Sequence, residues 1–161
     1  MDALEAIQKR RSVRKFTGDL VPRADLEKIV DAGRLAATGS NRQPWEFIVV
    51  TDKELKYQLT TIGKWMRKAG AIIAVVVDPY SPWWREDGSA AIQNMLVAST
   101  ALGYGSCWVE GDALPLEEEF KTILCVPKGK RLLALIPIGV PGESPTVEKR
   151  PLESVLHWQV Y

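Results

Sequence analysis

One histidine, His157, and two cysteines, Cys107 and Cys125, are all that these 161 residues offer of the usual metal-binding and nucleophilic side chains. A zinc site needs several such ligands, and a Ser-His-Asp or Cys-His mechanism needs a central histidine base, so both chemistries are excluded in their common forms. The cysteine spacing matches no metal or redox motif, and both are read as buried free thiols. Charge of one sign is also lacking: 21 Lys and Arg stand against 20 Asp and Glu, leaving +1. A chain so balanced has no general electrostatic pull on nucleic acid. The longest apolar run, Ala69 to Val77, is too short to cross a bilayer. Met1 to Arg10 alternates acidic and apolar residues, unlike a signal peptide. The expectation is therefore a cytoplasmic protein with neither nucleic acid nor membrane as partner, and no metal.

What is present suits one domain over residues 1–161, long enough to bury roughly 70% of its unfolded surface. Asp2 can cap a first helix to about Lys9, and Pro22 opens a second that runs to Thr38-Gly39. Trp45 to Thr51 reads as a strand, and Asp52 caps a helix to about Ile62, with a turn over Lys64 to Lys68. Ala71 to Val77 is continuous and β-branched, the pattern of a strand covered on both faces. Glu86 to Leu102 is a helix apolar nearly all round, so it belongs in the centre or at an interface. Strands at Gly105–Val109 and Leu132–Val140, and helices at Pro115–Leu124 and Lys149–Trp158, complete a layered mix of α and β.

Chemistry concentrates in four places. Lys9 to Lys15 holds five cations and Ser12, a local cluster in an otherwise neutral chain. Guanidinium forks and a hydroxyl suit phosphate oxygens; a solvated basic turn is the plainer alternative. Gly39 to Trp45 offers backbone groups, two amides and a hydroxyl that could satisfy a flat heteroaromatic ring, or else form a capped turn. Leu102 to Gly111 carries three glycines around one strand without Rossmann or P-loop spacing. Lys149-Arg150 places two cations at an expected helix start, where acids are normally favoured. Glu86 and Asp87 read as first-turn helix charges.

The order of these elements resembles the nitroreductase family of FMN-dependent oxidoreductases over essentially the whole chain. They are Arg10-Arg11-Ser12-Val13-Arg14, Ser40 to Trp45, the helix with Gln93-Asn94, Leu102-Gly103 through Gly111, and Lys149-Arg150. The resemblance implies an α+β homodimer with a central mixed β-sheet sandwiched by helices and FMN at the interface. It implies that Arg10, Ser12 and Arg14 hold the phosphate, the ribityl chain and one ring edge, with Arg11 a less certain neighbour. Lys149 and Arg150 would close the phosphate from the C-terminal side. Thr38, Gly39, Ser40, Asn41 and Gln43 would come from the other subunit and line the ring. Val109, Glu110 and Gly111 would face the reactive ring nitrogen, with the Glu110 backbone as donor.

The implied activity moves hydride from NAD(P)H through FMN to a small-molecule acceptor such as a nitroaromatic or quinone. The chain departs from longer relatives in its short Gly63–Ala69 and Pro79–Arg85 segments. An Asn/Lys pair of some members is missing, with Lys64 the candidate stand-in. Dehalogenation or flavin fragmentation, a non-catalytic FMN-binding protein, and a phosphate-binding interaction module are the competing readings.

Overall fold

The computed structural model describes residues 1–111 and 114–161. Its helices are α1 (Ala3–Lys9), α2 (Arg23–Arg34), α3 (Lys53–Leu59), α4 (Trp84–Ala101) and α5 (Glu117–Ile123). Its strands are β1 (Trp45–Val50), β2 (Ala71–Val77), β3 (Gly105–Ser106) and β4 (Arg131–Gly139), in the order β1-β2-β4-β3.

Local signals explain the starts. The Asp2 carboxylate accepts the Glu5 N–H at 2.9 Å and the Asp52 carboxylate accepts the Leu55 N–H at 2.9 Å, each satisfying a donor the helix leaves unpaired. Pro22 precedes α2 as expected.

β2 is buried at every position because helices cover both faces. Ile73, Val75 and Val77 pack with α2 and α4, whereas Ile72, Ala74 and Val76 pack with Leu59, Met66 and Phe120 on the opposite face. Burying an isoleucine or valine of this kind contributes about 1.5–3 kcal/mol, so this central strand anchors both layers. The β2–β4 register shifts between Val75 and Val76, and Leu133 is the extra residue of that bulge. Leu133 meets α4 at Gly88, where an added Cβ would stand 2.3 Å from the leucine Cδ2. The small residues of α4 thus let it lie close on the sheet, as its all-round apolar pattern predicts.

Several expectations need correction. The strand pairings are all antiparallel, and the one parallel pairing among the described residues is the bridge between Ser12 and Ser106, so the expected mixed sheet has only that parallel component. The expected Gly105–Val109 strand is two residues of β3 plus a separate bridge from Val109 to Leu135. The second helix stops at Arg34 and the third at Leu59. The expected C-terminal helix shrinks to a single 3-10 turn, Leu152–Ser154, because no part of it is buried and packing is what stabilises short helices. Cys107 is buried as expected, but Cys125 is exposed.

Candidate functional site

α1 ends where the Arg10 N–H closes on the Ala6 carbonyl at 2.9 Å. The chain then runs alongside β3. The Val13 N–H donates to the Ser106 carbonyl at 3.0 Å, and Val13 and Phe16 turn into the core. That alternation leaves Arg14 outside. Its backbone is fixed from elsewhere: the Glu143 carboxylate accepts the N–H of Arg14 at 2.6 Å and of Lys15 at 3.1 Å. Among the described residues no carboxylate pairs with the guanidinium of Arg10 or Arg14. Arg11 differs. Its guanidinium donates to the Gln8 and Arg10 carbonyls at 2.7 Å, completing the end of α1, and it lines another cavity beside Tyr104.

The segment after β3 forms the facing wall. Val109 exchanges hydrogen bonds with Leu135 at 3.0 and 2.9 Å, so its N–H is engaged in the sheet. The next two amides, of Glu110 and Gly111, have no acceptor among the described residues. The Glu110 carboxylate accepts the Trp108 Nε1–H at 2.9 Å, which commits that side chain to the wall. Burial pushes the Cys107 thiol above its ordinary pKa, while the Arg14 charge, the Ser12 hydroxyl and the Arg10 charge pull it partly back. Arg14 lines the same cavity as Cys107, and Ser12 pairs with the neighbouring Ser106.

These pieces enclose a cavity of about 200 Å³ between Arg14, the 107–111 segment, and Ile62, Gly63, Trp65 and Met66. Trp65 is stacked on Phe16 with ring centroids 6.3 Å apart. Lys64, exposed, does not line it. A larger cavity, about 720 Å³, lies between α2 and β1, but none of the expected site residues lines it.

The 38–43 loop lies elsewhere on the chain. It closes with the Gln43 N–H on the Thr38 hydroxyl at 3.3 Å. Ser40, Asn41 and Gln43 all have left-handed backbones, with φ of 52°, 53° and 50°. Each such residue costs on the order of 1 kcal/mol or more unless its surroundings hold it. The restraint comes from α4 and the loop before it. Gly39 lies against the Trp83 ring, where a Cβ would be 2.2 Å from the ring carbon Cε3. Its N–H donates to Asp87 Oδ1 at 2.9 Å. The Arg42 guanidinium sits 5.7 Å above the Trp83 ring. Arg42 and Gln43 line a polar cavity of about 300 Å³ with Asp78, Ser81 and Lys130, which shares no residue with the first.

Of the expected site residues, the fold brings Arg14, Val109, Glu110 and Gly111 to one cavity and pairs Ser12 with Ser106, next to Cys107, while Arg10 does not line the cavity. It does not bring Arg11, the 38–43 loop, Lys149 or Arg150 there. Lys149 and Arg150 are exposed in the tail after β4. Sequence reasoning missed Asp87. An acid in a first helical turn is so ordinary that nothing in the sequence marks this one as buried at 4% exposure. No group of His, Cys, Asp or Glu among the described residues could hold a metal ion, and none of the described helices is long and apolar enough to cross a membrane.

Known proteins share this arrangement. The model of the Nitroreductase family matches residues 7–78 and 60–140. A protein of Archaeoglobus fulgidus with the provisional name NADH dehydrogenase/NAD(P)H nitroreductase is 35% identical over 88% of this chain and 87% of its own. The FMN-dependent nitroreductase of Clostridium difficile R20291 superposes with a TM-score of 0.89 at 27% identity, covering 98% of this chain and 99% of its own. A nitroreductase, provisionally so named, of Desulfovibrio desulfuricans in complex with FMN gives 0.88 at 29% identity over 100% of this chain and 98% of its own. With its α+β fold, antiparallel sheet and extent of match, the chain belongs to the nitroreductase family.

Proposed function

We propose that this chain is an FMN-dependent oxidoreductase that draws on NAD(P)H and reduces an oxidised small molecule such as a nitroaromatic or a quinone. One observation carries the reading: an arginine without a carboxylate partner, Arg14, and two backbone amides without an acceptor among the described residues, of Glu110 and Gly111, line one aromatic-walled cavity. That donor set fits FMN. Guanidinium forks and a hydroxyl match a phosphate and polyol, apolar walls match a flat ring, and fixed amides match ring heteroatoms.

Arg10, Ser12 and Arg14 would hold the phosphate, the ribityl chain and one ring edge. Glu110 and Gly111 would present amides to the ring; Val109, its N–H engaged in the sheet, supplies wall and position. The redox chemistry, passage of electrons from NAD(P)H to the acceptor, would be supplied by FMN held by these residues. The Arg14 charge favours added negative charge nearby. The Glu110 amide is a donor held in place by the bridge at Val109, so it acts without an ionisable group. Trp65 and Trp108 narrow the cavity and limit water.

The whole chain, residues 1–161, acts as one FMN-binding domain working as a homodimer. Two features support the second copy. Thr38 to Gln43 and the Arg14 cavity lie apart in one chain, so a site built from both takes two. The tail also leaves Val147, Leu152, Val155, Leu156, Trp158 and Val160 exposed, at 42–78% of their surface. Apolar surface on that scale marks an interaction site. Docking of the tail on a second copy would carry Lys149 and Arg150 with it. A need for NAD(P)H supports a cytoplasmic location.

The test is anaerobic mixing of purified protein with NADH and with NADPH, after mass spectrometry of the released ligand. FMN that bleaches with a nucleotide and recovers its colour with a quinone or nitroaromatic is expected, with parallel double-reciprocal lines. Protein that takes up no FMN on reconstitution refutes the reading. FMN that neither nucleotide reduces points instead to a flavin-binding protein without this activity.

A further inference from the structure

We infer that Asp87 is a positioning residue for the flavin site. It acts from α4 by fixing the left-handed 39–43 loop, and this rests on the functional reading above. Asp87 lies in the first turn of α4 and is 4% exposed. Among the described residues no cation pairs with it. A buried carboxylate without a cation is costly, and it persists where its hydrogen bonds and surroundings hold it. Here Oδ1 accepts the Gly39 N–H at 2.9 Å and Oδ2 accepts the Ser81 hydroxyl at 3.5 Å. The start of the 18-residue α4 adds its dipole to the same end.

Gly39 is the residue at which this anchor controls the loop. The left-handed Ser40 and Asn41 follow directly, and Gln43 comes after right-handed Arg42. The bonds within the loop are long: the Asn41 N–H donates to the Thr38 carbonyl at 3.1 Å, the Arg42 N–H to the Gly39 carbonyl at 3.2 Å, and the Gln43 N–H and side-chain amide to the Thr38 hydroxyl and the Asn41 carbonyl at 3.3 Å. The rest of the restraint comes from outside: Asp87 on the Gly39 N–H, Trp83 against Gly39 and under Arg42, and the Asp78 N–H on the Pro44 carbonyl at 2.8 Å. Of these, Asp87 alone is buried and charged. Removing its carboxylate frees Gly39 and lets Ser40 to Gln43 relax towards ordinary right-handed or extended backbone. The amides and side chains that would face the ring then point elsewhere. Asp87 needs no contact with the flavin to do this.

The experiment compares the wild-type protein with Asp87→Ala and Asp87→Asn by FMN titration of the apoprotein. Amide hydrogen exchange over residues 39–43, the flavin absorption spectrum and the melting temperature of the apoprotein are read alongside. Asn keeps an oxygen for Gly39 and gains an N–H for Ser81. Asp87→Ala is expected to weaken FMN binding by about tenfold to a hundredfold, to shift the bound-flavin spectrum, and to speed exchange at 39–43. Asp87→Asn should recover at least about threefold of the lost affinity. If Asp87→Ala fails to fold, Asp87→Ser replaces it: serine suits the first turn of a helix but is too short to reach Gly39. Wild-type affinity and spectrum in a folded Ala or Ser variant, even one with a lowered melting temperature, would reduce Asp87 to a structural part and overturn the inference. A wild-type protein that takes up no FMN would overturn the functional reading on which it rests. Uptake by the wild type and the Ala variant alike would overturn only the role of Asp87.

Discussion

Arg14→Ala separates ligand binding from folding more cleanly than any other change at the site. The side chain is exposed, and no carboxylate among the described residues pairs with it. Its backbone is held independently by Glu143 at 2.6 Å, so truncation leaves the chain path intact and strands no buried partner. Apoprotein stability should therefore move by no more than about 0.5 kcal/mol, the usual range for a surface change. Binding is another matter. A charge-assisted hydrogen bond to phosphate or ring oxygen is worth about 1.5–3 kcal/mol, which is roughly a ten- to 150-fold loss of FMN affinity. Arg14→Lys keeps the charge without the fork and should fall between the two. Lys15→Ala is the control, since Lys15 is exposed and lines none of the cavity. The assay is quenching of FMN fluorescence on titration with apoprotein, paired with thermal melts of each apoprotein. Cys107 provides an internal check: without the Arg14 charge that lowers its pKa, the thiol should react still more slowly with alkylating agents. Equal losses for Arg14→Ala and Lys15→Ala would mean a generic basic surface, and an apoprotein destabilised in step with lost affinity would mean a structural arginine.

Three further outcomes follow from particular contacts. Glu117 accepts a fork from Arg131 at 2.7 and 2.8 Å and the Leu132 N–H at 3.0 Å; burial alone would raise its pKa, but these bonds outweigh it and the carboxyl titrates below its ordinary range. Its contribution is then complete above the unfolded pKa and lost as pH falls through the lower folded one, so Glu117→Gln should cost about 1–3 kcal/mol in urea unfolding at pH 7 and progressively less as the pH falls below the ordinary glutamate range; a difference constant with pH would refute the pairing. Thiol titration should find one fast cysteine, exposed Cys125, and one slow, buried Cys107, with FMN slowing Cys107 further; two equal rates would contradict the packing. Removing residues 147–161 should convert the proposed dimer to monomer in light scattering and weaken FMN binding, whereas a truncated chain that remains a stable dimer would place the interface elsewhere.

Much of this protein is legible along the chain because the signals are local. Asp2, Asp52 and Pro22 mark helix starts through bonds that close within three residues or through a fixed φ. The unbroken apolar run of β2 could only be a strand covered on both faces, and the small residues of α4 announced close packing. The Arg10–Arg14 cluster was visible as possible chemistry from its residue types, whereas the role expected of Val109–Gly111 came from the family resemblance. The tertiary structure decided what depends on distant partners. Engagement of the Val109 N–H by Leu135 leaves Glu110 and Gly111 as the donors without an acceptor among the described residues. Arg11 and Arg14 look alike in sequence, yet the turn after α1 sends one guanidinium to helix carbonyls and the other to the cavity. The tail after β4 carries a helix-start pattern, but with no surface in its own chain to cover, it gains only one turn. Asp87 is the extreme case. Its identity is commonplace for its position, and only the approach of Gly39, 48 residues earlier in the chain, turns a helix charge into an anchor.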